Sequence, residues 1–223
     1  MSYMLEFPPG PPLPQSIDSP PYVVFAINGT DVTPSLPPRI PLKLVLHFAP
    51  ALQKWVLPTP EPAYLPPDAV RQDLQTPQIG IDVQARIETV GLVWVITCML
   101  QRSGRTAPFN TLSLHPDLDT SLAIHDAWLA LGLPRAGLDA LHTHLHVQLM
   151  MRVSPVSLWD VQMIWHTFPH NSQIVRAMGI NFIEGLINQE YKLETSLAIL
   201  AWMRSTPELT AFLKYIQDAV PKF

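Results

Sequence analysis

The stretch ARIETVGLVWVITCMLQRS, residues 85–103, decides how the rest of the chain is read. Before it the sequence is broken by proline; after it apolar residues fall at helical spacing. Its central run, GLVWVITCML (91–100), is apolar on nearly every side, and a helix of that kind must be buried. The pattern predicts a buried helix holding Trp94 and Cys98. The run is too short to span a bilayer, which takes roughly 20 apolar residues. Cys98 is the one cysteine, so no internal disulfide can form, and a thiol in this setting is expected to be buried and inert.

Upstream, the chain concentrates its 25 prolines, most of them before residue 78. Proline fixes φ and removes an amide donor, so FPPGPPLPQ (7–15) and LPTPEPAYLPPD (57–68) read as extended or loop segments. Residues 1–19 are expected to form a poorly ordered tail. YVVFAI (22–27) is β-branched and aromatic and ends at Asn28-Gly29, a strong turn signal, which predicts a strand. PLKLVLHFAPALQKWVL (41–57) carries apolar residues at 42, 45, 46, 48, 52, 55 and 56. Pro50 interrupts that helical spacing, so two short helices meeting at a turn are expected. QIGIDVQA (78–85) alternates Ile79, Ile81 and Val83 and predicts a short strand.

Downstream, helices follow one another. DTSLAIHDAWLALGL (119–133) offers Asp119 or Thr120 as its cap and stops at Gly132. In RAGLDALHTHLHVQLMMR (135–152), Leu138, Leu141, Leu145 and Leu149 line one face. VSLWDVQMIWHTF (156–168) opens with Ser157 and has Asp160 three residues later, close to a capping box. NSQIVRAMGINFIEGLINQ (171–189) starts at Asn171 or Ser172 and carries an Ile174/Val175/Met178/Phe182/Ile183/Leu186 stripe. LETSLAILAWMR (193–204) and TPELTAFLKYIQDAV (206–220) complete the series, the last with Thr206 as cap and Pro207 at the first helical position. The fold class expected is α+β, a small mixed first part followed by helices.

The residues that invite a chemical reading are histidines. His142, His144 and His146 alternate, and on a strand they would share one face as metal ligands. The leucine period makes this segment a helix, so only His142 and His146 are neighbours, and the H-E-x-x-H pattern is absent. A metal-dependent enzyme built on that pair is the alternative reading, but a helix-surface role is expected. His115 with Asp117 and Asp119 reads as a helix start. His125 and Asp126 are adjacent on a helix and are not expected to face each other. His166 and His170 are expected at a helix end, near its dipole or exposed. Trp55, Trp94, Trp128, Trp159, Trp165 and Trp202 fall on apolar stripes and read as core. Neither G-x-S-x-G, G-x-G-x-x-G nor a Walker-type loop occurs. No catalytic, cofactor-binding or metal residue is assigned.

Composition narrows the partners. Hydrophobic residues make up 48% and charged residues 14%, well under the ~25% charge of an average domain. That balance favours a chain that buries surface, some of it against a partner. The net charge of −4 and the lack of a basic run argue against direct nucleic-acid binding. The first residues, MSYMLEFPPGPPLPQ, lack a signal-peptide pattern, and no membrane span or small-molecule substrate is evident. An intracellular protein, cytoplasmic or nuclear, is expected.

The order of parts carries a family resemblance. Ile40–Val56, with LVLHFAPAL at Leu44–Leu52, resembles the strand and helical hairpin that open a BTB/POZ domain, in a divergent form associated with filamentous fungi. IGIDVQARIETVGLVWVITCML resembles the strand and buried helix that follow. LAIHDAWLALGLPRAGLDALHTHL resembles the closing helix pair, joined through a Leu-x-Leu-Pro-type linker. SPVSLWDVQMIWHTFPHNSQIVRAMGINFIEGL is similar to the helical extension behind such domains. The likeness spans roughly residues 20–190 and implies a BTB/POZ-like domain at 20–152 with a helical extension at 153–223. It implies a non-enzymatic protein–protein interaction module, adaptor or scaffold, forming a homodimer or recruiting a partner protein. A scaffold subunit of a transcription or chromatin complex is a further reading. The acidic-hydrophobic element of cullin-binding members is missing, so ligase adaptor activity is not implied.

Overall fold

A computed structural model describes residues 4–58, 77–105, 115–151 and 154–220. Much of the proline-rich 57–68 segment therefore lies outside the described residues. The chain is α+β, with a small three-stranded sheet and a majority of helix. It divides into two compact units, Met1–Ala140 and Leu141–Phe223.

In the first unit, β1 (Tyr22–Ile27) pairs antiparallel with β2 (Thr30–Asp31) and parallel with β3 (Gln78–Val83). Asn28 and Gly29 both take positive φ, 49° and 79°, the requirement of a two-residue primed turn. Gly29 N–H donates to the Asp82 carboxylate at 2.9 Å and the Asn28 amide to Ala85 O at 3.0 Å, which ties the hairpin to the end of β3. The parallel register runs from Tyr22↔Gln78 to Ile27↔Val83. A parallel pair needs a long crossover, and residues between β1 and β3 supply it with α1 (Leu42–Phe48) and a 3-10 turn at Pro50–Trp55. Pro50 does what its sequence position implies: it stops the α-helix and starts the tighter turn.

Alternate residues of β1 (Val23, Phe25 and Ile27) are buried, as are Ile81 and Val83 of β3. The buried helix is α2 (Thr89–Arg102), in which Leu92, Trp94, Val95, Ile96, Cys98, Met99 and Leu100 are all inside. It begins at Thr89 rather than residue 85, because tight turns (Ala85 N–H to Val83 O, Ile87 N–H to Ala85 O) must first reverse the chain out of β3. Helix α2 packs on α3 (Leu118–Ala130) through Gly91, where an added Cβ would lie 2.1 Å from Ala123 O. Only glycine permits that approach.

Two expectations for the first unit are corrected. Residues 4–19 are not an open tail: Leu5, Phe7 and Ile17 are buried, and the Phe7 ring lies 4.9 Å from both Phe48 and Trp128. The few apolar side chains among the prolines outweigh the polymer-like composition around them. The cap of α3 is Asp117, not Asp119 or Thr120; its carboxylate accepts from Thr120 N–H at 2.9 Å. Three capping-type residues crowd one turn, and the one preceding the helix wins.

The second unit is helical: α4 (Asp139–Met151), α5 (Leu158–Thr167), α6 (Gln173–Ile187), α7 (Leu193–Met203) and α8 (Pro207–Ala219). Leu141, Leu145 and Leu149 of α4 are buried together with Val161, Ile164, Val175, Met178 and Phe182. The units divide upstream of the boundary expected at residue 152, because these leucines put α4 with the later helices. The Ser157–Asp160 capping box is complete, with Ser157 N–H donating to the carboxylate at 2.6 Å and Asp160 N–H to the hydroxyl at 3.1 Å. Ser172 caps α6 and Thr206 caps α8, with Pro207 first in the helix. Asn181, 1% exposed, holds the start of α5 to the end of α4. Its amide donates to Leu149 O (2.8 Å) and its carbonyl accepts from Val156 N–H (3.1 Å).

Candidate interaction surface and the histidines

On α4 the three histidines stand at helical, not strand, spacing. His142 and His146 are one turn apart, and His144 lies off their line; all three are partly exposed. The His142 ring meets Phe168 edge-on at 5.5 Å, a packing contact. Among the described residues, no group of three or more His, Cys, Asp or Glu side chains is arranged to hold a metal ion.

His47, His125, His166 and His170 find aromatic or acidic neighbours. His170 stacks on Trp165, with ring centroids 3.8 Å apart at 17°, and both His166 and His170 are exposed at the end of α5, as expected. Trp165 also meets Trp202 at 6.4 Å and Phe212 at 5.1 Å, and His166 meets Trp202 at 6.3 Å. These rings join α5, α7 and α8. Their residues are far apart in sequence, so periodicity alone could not pair them.

His125 and Asp126 depart from expectation. Their Nδ1 and Oδ1 atoms are 3.2 Å apart although the residues are adjacent on α3. A short carboxylate side chain can bend around the helix edge toward its neighbour, which a rule about Cβ directions does not capture. His125 is 4% exposed, enclosed in the first unit's core. In the expected His115 group, Asp117 has a perturbed carboxyl. The Thr120 side chain and then its backbone amide, both hydrogen-bonded to the carboxylate, hold it below the usual range. That is capping, not acid–base chemistry.

Of the six tryptophans, Trp94, Trp128 and Trp165 are buried. Trp128 has its indole N–H donated to Pro134 O at 2.8 Å. Trp159 is a correction: it is 45% exposed, because the buried face of α5 is Val161, Ile164 and Trp165. Cys98 is buried, as expected.

Apolar side chains that face solvent were not singled out by the sequence reading. On α4, Val147, Met150 and Met151 recur at three- and four-residue spacing and are 44%, 46% and 74% exposed. On α7, Leu193 and Leu197 do the same at 73% and 55%. The doublet Met150-Met151 beside Leu149 was the available signal: one helix cannot bury three successive positions on one core face. No helix among the described residues is long and apolar enough to cross a membrane. No protein-family model, curated protein or solved structure matches the chain.

Proposed function

We propose that this chain is a non-enzymatic protein–protein interaction module, BTB/POZ-like over residues 20–152, that pairs with a second copy of itself. The observation that carries the reading is the pair of solvent-facing apolar stripes, Val147/Met150/Met151 and Leu193/Leu197. Scattered exposed leucines are ordinary, but apolar residues recurring on one helical face mark an association surface. The fold half of the reading is supported by element order. A strand, a helical hairpin broken at Pro50, a parallel strand, a buried helix and a helix pair joined through Pro134 follow one another.

Magnitudes set the strength expected. Each half-exposed side chain returns roughly 1 kcal/mol when fully covered, so from both copies together the α4 stripe supplies on the order of 6 kcal/mol and the α7 stripe on the order of 4 kcal/mol. Association costs about 4–15 kcal/mol in lost freedom. The two nearly balance, so a concentration-dependent dimer is expected rather than an obligate one.

Sedimentation velocity over a wide concentration range tests this. The apparent mass should move from 25.0 kDa toward twice that value as concentration rises. Met151→Glu combined with Leu197→Glu should hold it at 25.0 kDa throughout. A wild-type chain that stays monomeric at every concentration overturns the self-pairing.

A further inference from the structure

The segment from Phe7 to Ile17 reads FPPGPPLPQSI, and five of its residues are proline. Every residue from Pro8 to Ser16 is exposed, while Phe7 and Ile17 at its ends are buried at 4% and 6%. Both ends are tied down. Glu6 N–H donates to Gly137 O at 2.9 Å, next to the Phe7 ring seated on Phe48 and Trp128. At the other end Ile17 N–H donates to Pro14 O at 3.0 Å, and Lys43 Nζ reaches the Ser16 hydroxyl at 3.2 Å. Between these anchors the segment forms no helix or strand, and a cleft of about 350 Å³ separates part of it from His47, Phe48 and Arg102. The chain bends at Pro11, and Pro11, Pro12 and Leu13 each turn one side to that cleft while remaining exposed.

We infer that Pro11–Pro14 is a displayed ligand for a partner domain whose groove is lined by stacked aromatic rings, of the WW type. Proline fixes φ near −65°, so the run is already extended, and aromatic grooves take such segments at low entropic cost. Closure of the arc at Phe7 and Ile17 lowers that cost further, because the fold has already ordered the chain. Charge selects among proline readers. No Lys or Arg occurs between Met1 and Pro38, so an SH3-type groove with an acidic pocket finds no cation in line with the prolines. A WW-type groove reads proline rings and an apolar side chain, and Leu13 is 37% exposed between Pro12 and Pro14. This inference goes beyond self-pairing and does not depend on it.

The test titrates the full chain into an isolated WW domain that selects Pro-Pro-Leu-Pro peptides, following the fluorescence of the groove tryptophan. An SH3 domain serves as the comparison probe and a synthetic peptide of residues 8–16 as the unanchored ligand. Saturable binding by the full chain, at least as tight as by the peptide, is expected. Pro12→Ala and Leu13→Asp, both at exposed positions, should each weaken it about tenfold or more, a loss of roughly 1.4 kcal/mol. Binding of the peptide but not the full chain would show the run to be occluded and overturn the inference. Equal or tighter binding of the SH3 domain, or indifference to both substitutions, would overturn the choice of reader.

Discussion

Asn181→Leu probes the junction that builds the second unit. The substitution keeps side-chain volume close and removes the amide. Two buried backbone groups then lose their partner: Val156 N–H, bonded at 3.1 Å, and Leu149 O, bonded at 2.8 Å. Leaving a buried polar group unsatisfied costs about 1–3 kcal/mol, so the pair costs about 2–6 kcal/mol. The weaker contact to Ser154 O at 3.4 Å adds little, since Ser154 is exposed to water. Leucine returns roughly 1 kcal/mol through its extra apolar burial. The net loss expected is about 3 kcal/mol. Urea unfolding at 25 °C reads it directly: with a slope near 2 kcal/mol/M, the midpoint should fall by about 1.5 M. Hydrogen exchange at the Val156 amide should accelerate in the same variant. A midpoint shift under about 0.3 M with an unchanged slope would mean that Asn181 does not hold α4 to α5.

Three further outcomes follow from other parts of the fold. Gly91→Ala would gain ~1 kcal/mol in an open helix. Here its Cβ would sit 2.1 Å from Ala123 O, so α2 and α3 must separate and a net loss of ~2 kcal/mol is expected in a thermal melt. Asp117→Ala should cost ~1 kcal/mol at neutral pH through the lost cap of α3. The folded-state pKa of Asp117 lies below its unfolded value, so this stabilisation is present above the unfolded pKa. It is lost as pH falls through the folded pKa, and the stability difference between the wild-type chain and the Asp117→Asn variant should shrink across that acidic range. Trp94→Ala should cost ~3–5 kcal/mol because the side chain is enclosed in α2's packing, and His144→Ala within ~0.5 kcal/mol; a melt that reverses this order exchanges core and surface.

Much of the fold is legible because local signals and burial agree. The limits of β1 coincide with YVVFAI, whose β-branched run is closed by Asn28-Gly29. Pro50, Ser157, Thr206 and Pro207 act where their backbone chemistry requires. The leucine period predicts that the histidine segment is a helix, and α4 is one. What escaped the sequence depends on tertiary partners. Phe7 is one aromatic residue among prolines, and only Phe48 and Trp128 make it an anchor. His170 becomes a cover for Trp165 only when the chain turns after α5. Trp159 reads as apolar and therefore buried, yet the buried positions of α5 are Val161, Ile164 and Trp165, and Trp159 is left facing solvent. The exposed stripes were hidden for the opposite reason: in an apolar-rich chain, hydrophobicity does not say which face lacks a partner.

Cross-linking an equimolar mixture of isotopically light and heavy full-length chains, followed by mass spectrometry, tests self-association most directly. Lys192 adjoins Leu193 at the start of α7 and gives a reactive amine beside one of the stripes. Links that join a light to a heavy copy through Lys192, abolished by Met151→Glu with Leu197→Glu, are the result expected. Links confined to single copies, at concentrations where the wild-type chain would be dimeric, would contradict a self-pairing module.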